Sequence, residues 1–277
     1  MTATARETAP VQPAAAPAWW AETRATLVFF VKLVVLVLLF RSFVFAPFSI
    51  PSGSMLPRLL VGDYLFVAKW SYGYSRHSLP GSVPLIIGRV LARDPARGDV
   101  VVFKAPPLAS EDYIKRVIGL PGDTVQMRGG QLILNGVAVP KERVADFVVA
   151  VSPNTHCVGR FADRDAVGRA LCRYPRYRET LPGGRSYFVL DQGDMPADET
   201  RVYTVPDGAA FLMGDNRDDS LDSRFPAVAH GGIGFVPLAN IEGKAVVGFW
   251  STDGSARRWN PVSWFTATRF DRIGEGF

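Results

Sequence analysis

At 277 residues, 48% apolar and 21% charged, the chain has ample length to bury a core in one large domain or two small ones. Its net charge of +5 is spread thinly, with no basic helix and no aromatic–cation interleaving, which argues against nucleic-acid binding. Three histidines (His77, His156, His230) and two cysteines (Cys157, Cys172) make no zinc-like spacing, so no metal or other cofactor is expected.

Residues 1–24 are rich in Ala, Pro and Thr, the composition of a disordered tail. Leu27 to Phe45 then reads LVFFVKLVVLVLLFRSFVF, with Lys32, Arg41 and Ser42 its only polar members. As a helix this run rises about 28 Å, close to the hydrocarbon thickness of a bilayer. Lys32 and Arg41 lie near enough to its two ends to snorkel. A transmembrane anchor is therefore expected over 25–46, with the lipid bilayer as a partner. Val44-Phe45-Ala46 loosely fits a small-x-small cleavage site, but Pro47 follows it, so the segment reads as a retained anchor. Arg6 and Arg24 before the span balance Arg58 and Lys69 after it, and charge counting does not choose a side.

Beyond the anchor the pattern switches to short alternating runs. Tyr64 to Ala68, Val100 to Phe103, Tyr113 to Gly119, Thr124 to Met127 and Gln131 to Leu134 are bounded by turn residues, notably Gly129-Gly130 and Asn135-Gly136. Late strands follow at Ala210 to Met213 and Lys244 to Trp250, and no soluble amphipathic helix stands out. The fold class predicted is mostly β: one N-terminal transmembrane helix, then an all-β domain whose sheet closes on itself or stays open. Its core spans 47–140 and 204–255. Residues 141–203 are more charged and less regular and read as an inserted subdomain. Cys157 and Cys172 sit there, either paired to clip a surface loop in an oxidising compartment or present as two unrelated thiols. The 256–277 tail mixes Trp259, Trp264, Phe265 and Phe270 with Arg258, Arg269 and Arg272. That mixture suits either a membrane-surface contact or ordinary exposed residues.

Three segments carry candidate chemistry. Pro47-Phe-Ser-Ile-Pro-Ser-Gly-Ser-Met-Leu-Pro57 holds Ser52 and Ser54 out of a helix, on a turn that can expose a hydroxyl beside free N–H groups. Most proline-flanked serines lie in ordinary loops, so this segment alone says little. The histidines offer no motif-like base, which leaves lysine. Lys115 lies on an apolar strand where alternation sends Lys115 and Arg116 to opposite faces, one of them inward. A desolvated lysine has a lowered pKa and can act as a base, whereas a cation on a solvated face is the plain alternative. In Met213 to Phe225, Asp215, Arg217, Asp222 and Arg224 are expected to pair into a rigid network, with Ser220 free to bond a lysine amine. An ordinary surface loop is the plain alternative there.

Together Pro51-Ser-Gly-Ser-Met55, Arg97-Gly-Asp-Val-Val-Val-Phe103, Tyr113-Ile-Lys-Arg…Gly-Leu-Pro-Gly-Asp123 and Gly214-Asp-Asn-Arg-Asp…Ser220…Asp222-Ser-Arg224 resemble, in order and spacing, the motifs of bacterial type I signal peptidases. The resemblance covers about Arg41 to Trp250. It implies a metal-free serine endopeptidase that cuts signal peptides from exported preproteins after Ala-x-Ala-like residues. Ser54 would be the nucleophile, Lys115 the base, and Ser220 the group that orients Lys115. Ser52 and the Ser54 N–H would form the oxyanion hole, buttressed by Asp222 and Arg224. It also implies a bacterial inner-membrane protein whose catalytic domain lies on the periplasmic side. Three departures stand out: Ala46 where many members are acidic, Asp219 where Asn is frequent, and one span where many have two. The competing readings are a non-catalytic membrane-anchored adaptor of an export assembly, or a specialised peptidase for one pilin or conjugation substrate. A self-cleaving repressor would need a DNA-binding module, for which residues 1–24 are too short.

Overall fold

A computed structural model of the chain describes residues 18–157 and 159–277. Most of the expected N-terminal tail lies outside the described residues. From Ala18, however, the chain is already helical, in α1 (Ala18–Phe43). Within α1, Glu22–Phe43 is long and apolar enough to cross a membrane, with a mean hydropathy of 2.3, and nearly every described side chain is exposed. The helix starts before the expected 25–46 span and also stops short of it. Pro47 supplies a reason for the stop, because continuing the helix would drive its ring into the carbonyl of Phe43, four residues back. The segment up to Phe40 and the body from Arg41 to Phe277 are separate units.

The body is built from short strands. In chain order they are β1 (Phe45–Ser49), β2 (Asp63–Ala68), β3 (Tyr74–Ser75), β4 (Arg89–Val90), β5 (Val100–Lys104) and β6 (Asp112–Gly119). There follow β7 (Thr124–Arg128), β8 (Gln131–Leu134), β9 (Val137–Ala138), β10 (Lys141–Ala150), β11 (Ala162–Arg164) and β12 (Ala170–Thr180). The last are β13 (Ser186–Leu190), β14 (Tyr203–Thr204), β15 (Ala209–Met213), β16 (Val236–Pro237) and β17 (Ile241–Ser251), before a single-turn helix, α2 (Pro261–Thr266).

The main sheet runs β1-β2-β17-β5-β6-β15-β16, antiparallel at every step. It is an open path with β1 and β16 at its edges, not a closed barrel. Register shifts in the β17 and β15 pairings mark bulges, which bend strands and increase their twist. The central strand β5 is apolar without alternation because both its faces are covered. Val101 and Phe103 pack into one cluster with Val117 and Leu212, and Val100 and Val102 into another with Met55, Leu59 and Ile114.

The 141–203 segment forms its own sheet, β10-β12-β11 with β13 also on β12. Cys157 and Cys172 are joined in a disulfide that ties β12 to the chain ahead of β11. The sheet does not stand apart from the core: the Leu190 N–H donates to the Asp215 carbonyl at 2.9 Å, and Leu190 bridges Asn216 in parallel. The C-terminal tail is bound back on the core through Arg272, which donates to Asp63 at 2.6 Å, while Trp259 and Phe265 remain exposed.

Candidate active site

The β1–β2 connection is pinned at both ends. The Ile50 N–H donates to Asp63 O and the Gly62 N–H to Ile50 O, while Met55 and Leu59 are fully buried anchors between them. Ser54 sits on this turn, 9% exposed. Asn216 grips the turn from across the site: its side-chain amide donates to Gly53 O at 3.1 Å, and its backbone N–H to Ser54 O at 3.1 Å. Asn216 lies within the motif quoted above, yet no local pattern marks it as the residue that holds the serine.

Lys115 arrives on β6. The register pairs it with Val101 and sets Arg116 opposite Val100, so the two cations leave the strand on opposite faces. Both are buried, not one, because each face offers partners. Lys115 Nζ lies 2.6 Å from Ser54 Oγ. Burial lowers the Lys115 amine from its ordinary range to about 8, against the opposing pull of Asp222, Asp215 and Asp219. Ser52 Oγ is 3.4 Å from Ser54 Oγ, at the long end of hydrogen-bond range.

Arg116 is paired on its own face. It donates to both carboxylate oxygens of Asp215, at 2.7 and 2.6 Å, and to Gly98 O at 2.7 Å, with its guanidinium 4.4 Å from the Tyr187 ring. This corrects the expected Asp215–Arg217–Asp222–Arg224 network. Only Asp222 and Arg224 pair with each other, by two bonds of 2.9 Å. Arg217 instead takes Glu179 from β12, donating to both its oxygens at 2.8 and 2.6 Å. Glu179 has no exposed surface and also accepts from the Tyr187 hydroxyl at 2.8 Å. In sequence it sits in a charged run and reads as a solvated residue. The β12–β13 pairing sets it opposite Tyr187 and so buries it.

Asp222 is held below the usual carboxylate range. Burial pushes it up, but the Arg224 charge and hydrogen bonds, including one from the Gly214 N–H at 3.0 Å, outweigh that. Ser220 is buried, and its hydroxyl has no hydrogen-bond partner among the described residues, so it is not bonded to Lys115 here. It nevertheless lines the same groove. Gly214 makes room for it: a Cβ there would lie 2.2 Å from Ser220 Oγ and 2.5 Å from Ser54 O. Asp219 lies on the groove wall, its carboxyl raised by burial and lowered by the Lys115 charge.

Ser54, Lys115, Ser52 and Ser220 open onto one groove of about 660 Å³, with Phe48, Ile114 and Leu221 among its apolar walls. Phe48 belongs to β1, an edge strand of the main sheet that pairs with β2. An edge strand beside an apolar groove is a ready template for an extended peptide.

The family profile described as "Signal peptidase, peptidase S26" matches residues 23–250. The chain is 38% identical over 232 residues to the signal peptidase I of Rickettsia typhi (strain ATCC VR-144 / Wilmington), covering 80% of this chain and 78% of that one. It is 34% identical over 261 residues to the signal peptidase I of Rickettsia akari (strain Hartford), covering 87% and 88%. A crystal structure of a signal peptidase I from Enterococcus faecalis V583 matches at 27% identity and a TM-score of 0.29, over 55% of this chain and 97% of that one. With a profile spanning most of its length and relatives matched over more than three quarters of theirs, the chain belongs to the signal peptidase S26 family.

Proposed function

We propose that this chain is a membrane-anchored serine endopeptidase that removes signal peptides from exported preproteins, with Ser54 as nucleophile and Lys115 as general base. The observation that carries this reading is the 2.6 Å contact between Lys115 Nζ and Ser54 Oγ, both buried at the head of a peptide-sized groove. A charged Lys115 donates to the serine. Once neutral, it accepts the Ser54 proton as Oγ attacks the substrate carbonyl. The resulting ammonium protonates the leaving amine, and the neutral amine then activates the water that releases the acyl group. Ser52 Oγ and the Ser54 N–H are assigned to the oxyanion, where one donor is typically worth about 3 kcal/mol in the transition state.

The remaining groups hold this pair in place. Asn216 fixes the carbonyls on either side of the Ser54 peptide, and the Asp222–Arg224 pair supports the Gly214 turn. Ser220, an unpartnered hydroxyl in the groove, is assigned to orient Lys115 when the substrate displaces solvent. The substrate would add as a strand along β1 at Phe48 and Ser49, beside the groove, main chain supplying affinity and narrow apolar walls selecting Ala-x-Ala-like side chains. Anchor and substrate share a bilayer, which makes the encounter local. The site is placed outside the cytoplasm, on the periplasmic side of a bacterial inner membrane, a reading supported by the Cys157–Cys172 disulfide. The reaction as drawn uses groups of this chain and water, and no metal or nucleic acid is assigned as a partner.

The test is cleavage of a preprotein by the purified full chain in detergent, beside Ser54→Ala and Lys115→Ala. Product cut after a small residue, lost in both variants and indifferent to chelator, is expected. Cutting by either variant at the wild-type rate would overturn the dyad. An intact wild type that cuts no preprotein would favour the adaptor reading.

A further inference from the structure

We propose that the loop between β3 and β4 is a second membrane contact, its apolar tip dipping into the bilayer that α1 spans. The proposal rests on reading α1 as a membrane span. The tip runs Val83-Pro-Leu-Ile-Ile-Gly88, with Leu85 78% and Ile87 97% exposed and Val83 exposed as well; Val90 in the stem and Leu91 just past it are exposed too. Surface loops are ordinarily polar, and a contiguous apolar tip of this kind marks a contact surface.

Slack chain does not explain the exposure, because the stem is tightly held. β3 and β4 pair through Tyr74 with Val90 and Ser75 with Arg89. The Arg89 guanidinium donates to five backbone carbonyls: Tyr72 at 3.2 Å, Gly73 at 2.9 Å, Leu238 at 2.7 Å, Ala239 at 3.2 Å and Ile241 at 2.5 Å. His77 Nδ1 and Ser82 Oγ lie 3.0 Å apart and close the other side of the stem. Just past the stem, Leu91 adopts a φ of 52°, a left-handed conformation uncommon for a non-glycine residue. A rigid base therefore presents the apolar side chains outward.

The occupant is identified by what the stem touches. The Tyr74 hydroxyl donates to the Phe43 carbonyl at 2.9 Å, and the two rings meet edge to face at 5.2 Å. Phe43 is the last residue of the apolar helix, so the loop's base is bonded to the point where the chain leaves its apolar run. Exposed Arg76 and Arg93, against a single exposed Asp94, give the flanks a net positive charge that suits anionic headgroups. Each Leu or Ile transferred from water to an apolar phase shifts partitioning by about tenfold to a hundredfold, so a few such side chains suffice to hold the tip down.

The test uses the full chain in vesicles of phosphatidylcholine and phosphatidylglycerol. Both native cysteines are in the disulfide, so one introduced thiol takes an environment-sensitive dye uniquely. Three variants carry it: Ile87→Cys at the tip, Val35→Cys in α1, and Val167→Cys on the β11–β12 turn, which is 76% exposed. At 97% exposure Ile87 tolerates the change without loss of packing. Lipids with nitroxide-labelled acyl chains are expected to quench most of the emission at positions 87 and 35 and to spare 167. An unquenched 87 beside a quenched 35 would overturn the proposal and leave the span standing. No quenching at 35 would remove the span and the proposal together. Equal quenching at 87 and 167 would also overturn it, since contact would not belong to the loop. So would shielding of position 87 only when preprotein is added, or self-quenching that grows with protein density.

Discussion

The 141–203 insertion meets the active-site residues through Tyr187 against Arg116, Leu190 on Asp215 and one buried ion pair, and Glu179→Gln tests what that pair does. Glu179 and Arg217 are 0% and 3% exposed at their side chains and joined by two short bonds. Burial alone would lower the Arg217 pKa, but the Glu179 charge outweighs it and raises the value, so the guanidinium stays charged. The glutamine keeps the shape and removes the charge, leaving a cation in a place with no solvent to stabilise it. Breaking such a pair from one side costs about 3–5 kcal/mol. For a domain of this size that is a fall in Tm of roughly 6–20 °C. The damage should reach the chemistry as well. Arg217 O accepts from Arg224 at 2.5 Å and Arg217 Nε donates to Gly214 O at 3.3 Å, in the turn whose Asn216 holds Ser54. The assay is thermal unfolding in detergent beside initial rates on a preprotein, with kcat expected to fall more than KM rises. A double variant, Glu179→Gln with Arg217→Met, removes both charges and should recover much of the stability without recovering the rate. A Tm change under about 3 °C in the single variant would refute the reasoning, as would a double variant less stable than the single.

The remaining expectations concern the groove. A base acts when neutral, and burial brings Lys115 down to about 8, so kcat/KM should rise with pH through a midpoint near 8. Below that midpoint it should fall about tenfold per pH unit, and a flat profile from about pH 6 to 9 would exclude Lys115 as the base. Among the charges that raise the Lys115 pKa is Asp219, so Asp219→Asn should move the midpoint to lower pH. An unmoved midpoint would mean the carboxylate does not sense the amine. Gly214→Ala would place a methyl group against both Ser220 Oγ and Ser54 O, the latter backbone and unable to swing aside. Its rate should be lost even beside Ser220→Ala, and recovery in that double variant would show the hydroxyl to be the whole obstacle.

What the sequence shows and what it hides divide along a physical line. Periodicity reports which way a side chain faces, and there it serves well: the apolar run is α1, and alternation correctly separates Lys115 from Arg116. It says nothing about which residue waits on the far side. Ser54 and Lys115 are 61 positions apart and the chain between them carries no trace of their 2.6 Å contact, so only the resemblance to known peptidases supplies the pairing. Arg217 makes the same point from the other direction. Its neighbours Asp215 and Asp222 are the obvious partners in sequence, but Asp215 is drawn to Arg116 and Asp222 to Arg224, and Arg217 is left to Glu179. A buried arginine requires some carboxylate, and that requirement is legible in the chain; its identity is settled by strand register between segments far apart in sequence. The insertion is hard to read from its sequence for the same reason. Its faces are half-solvated, so its strands alternate weakly, and the glutamate it sends to Arg217 looks in sequence like any other surface charge.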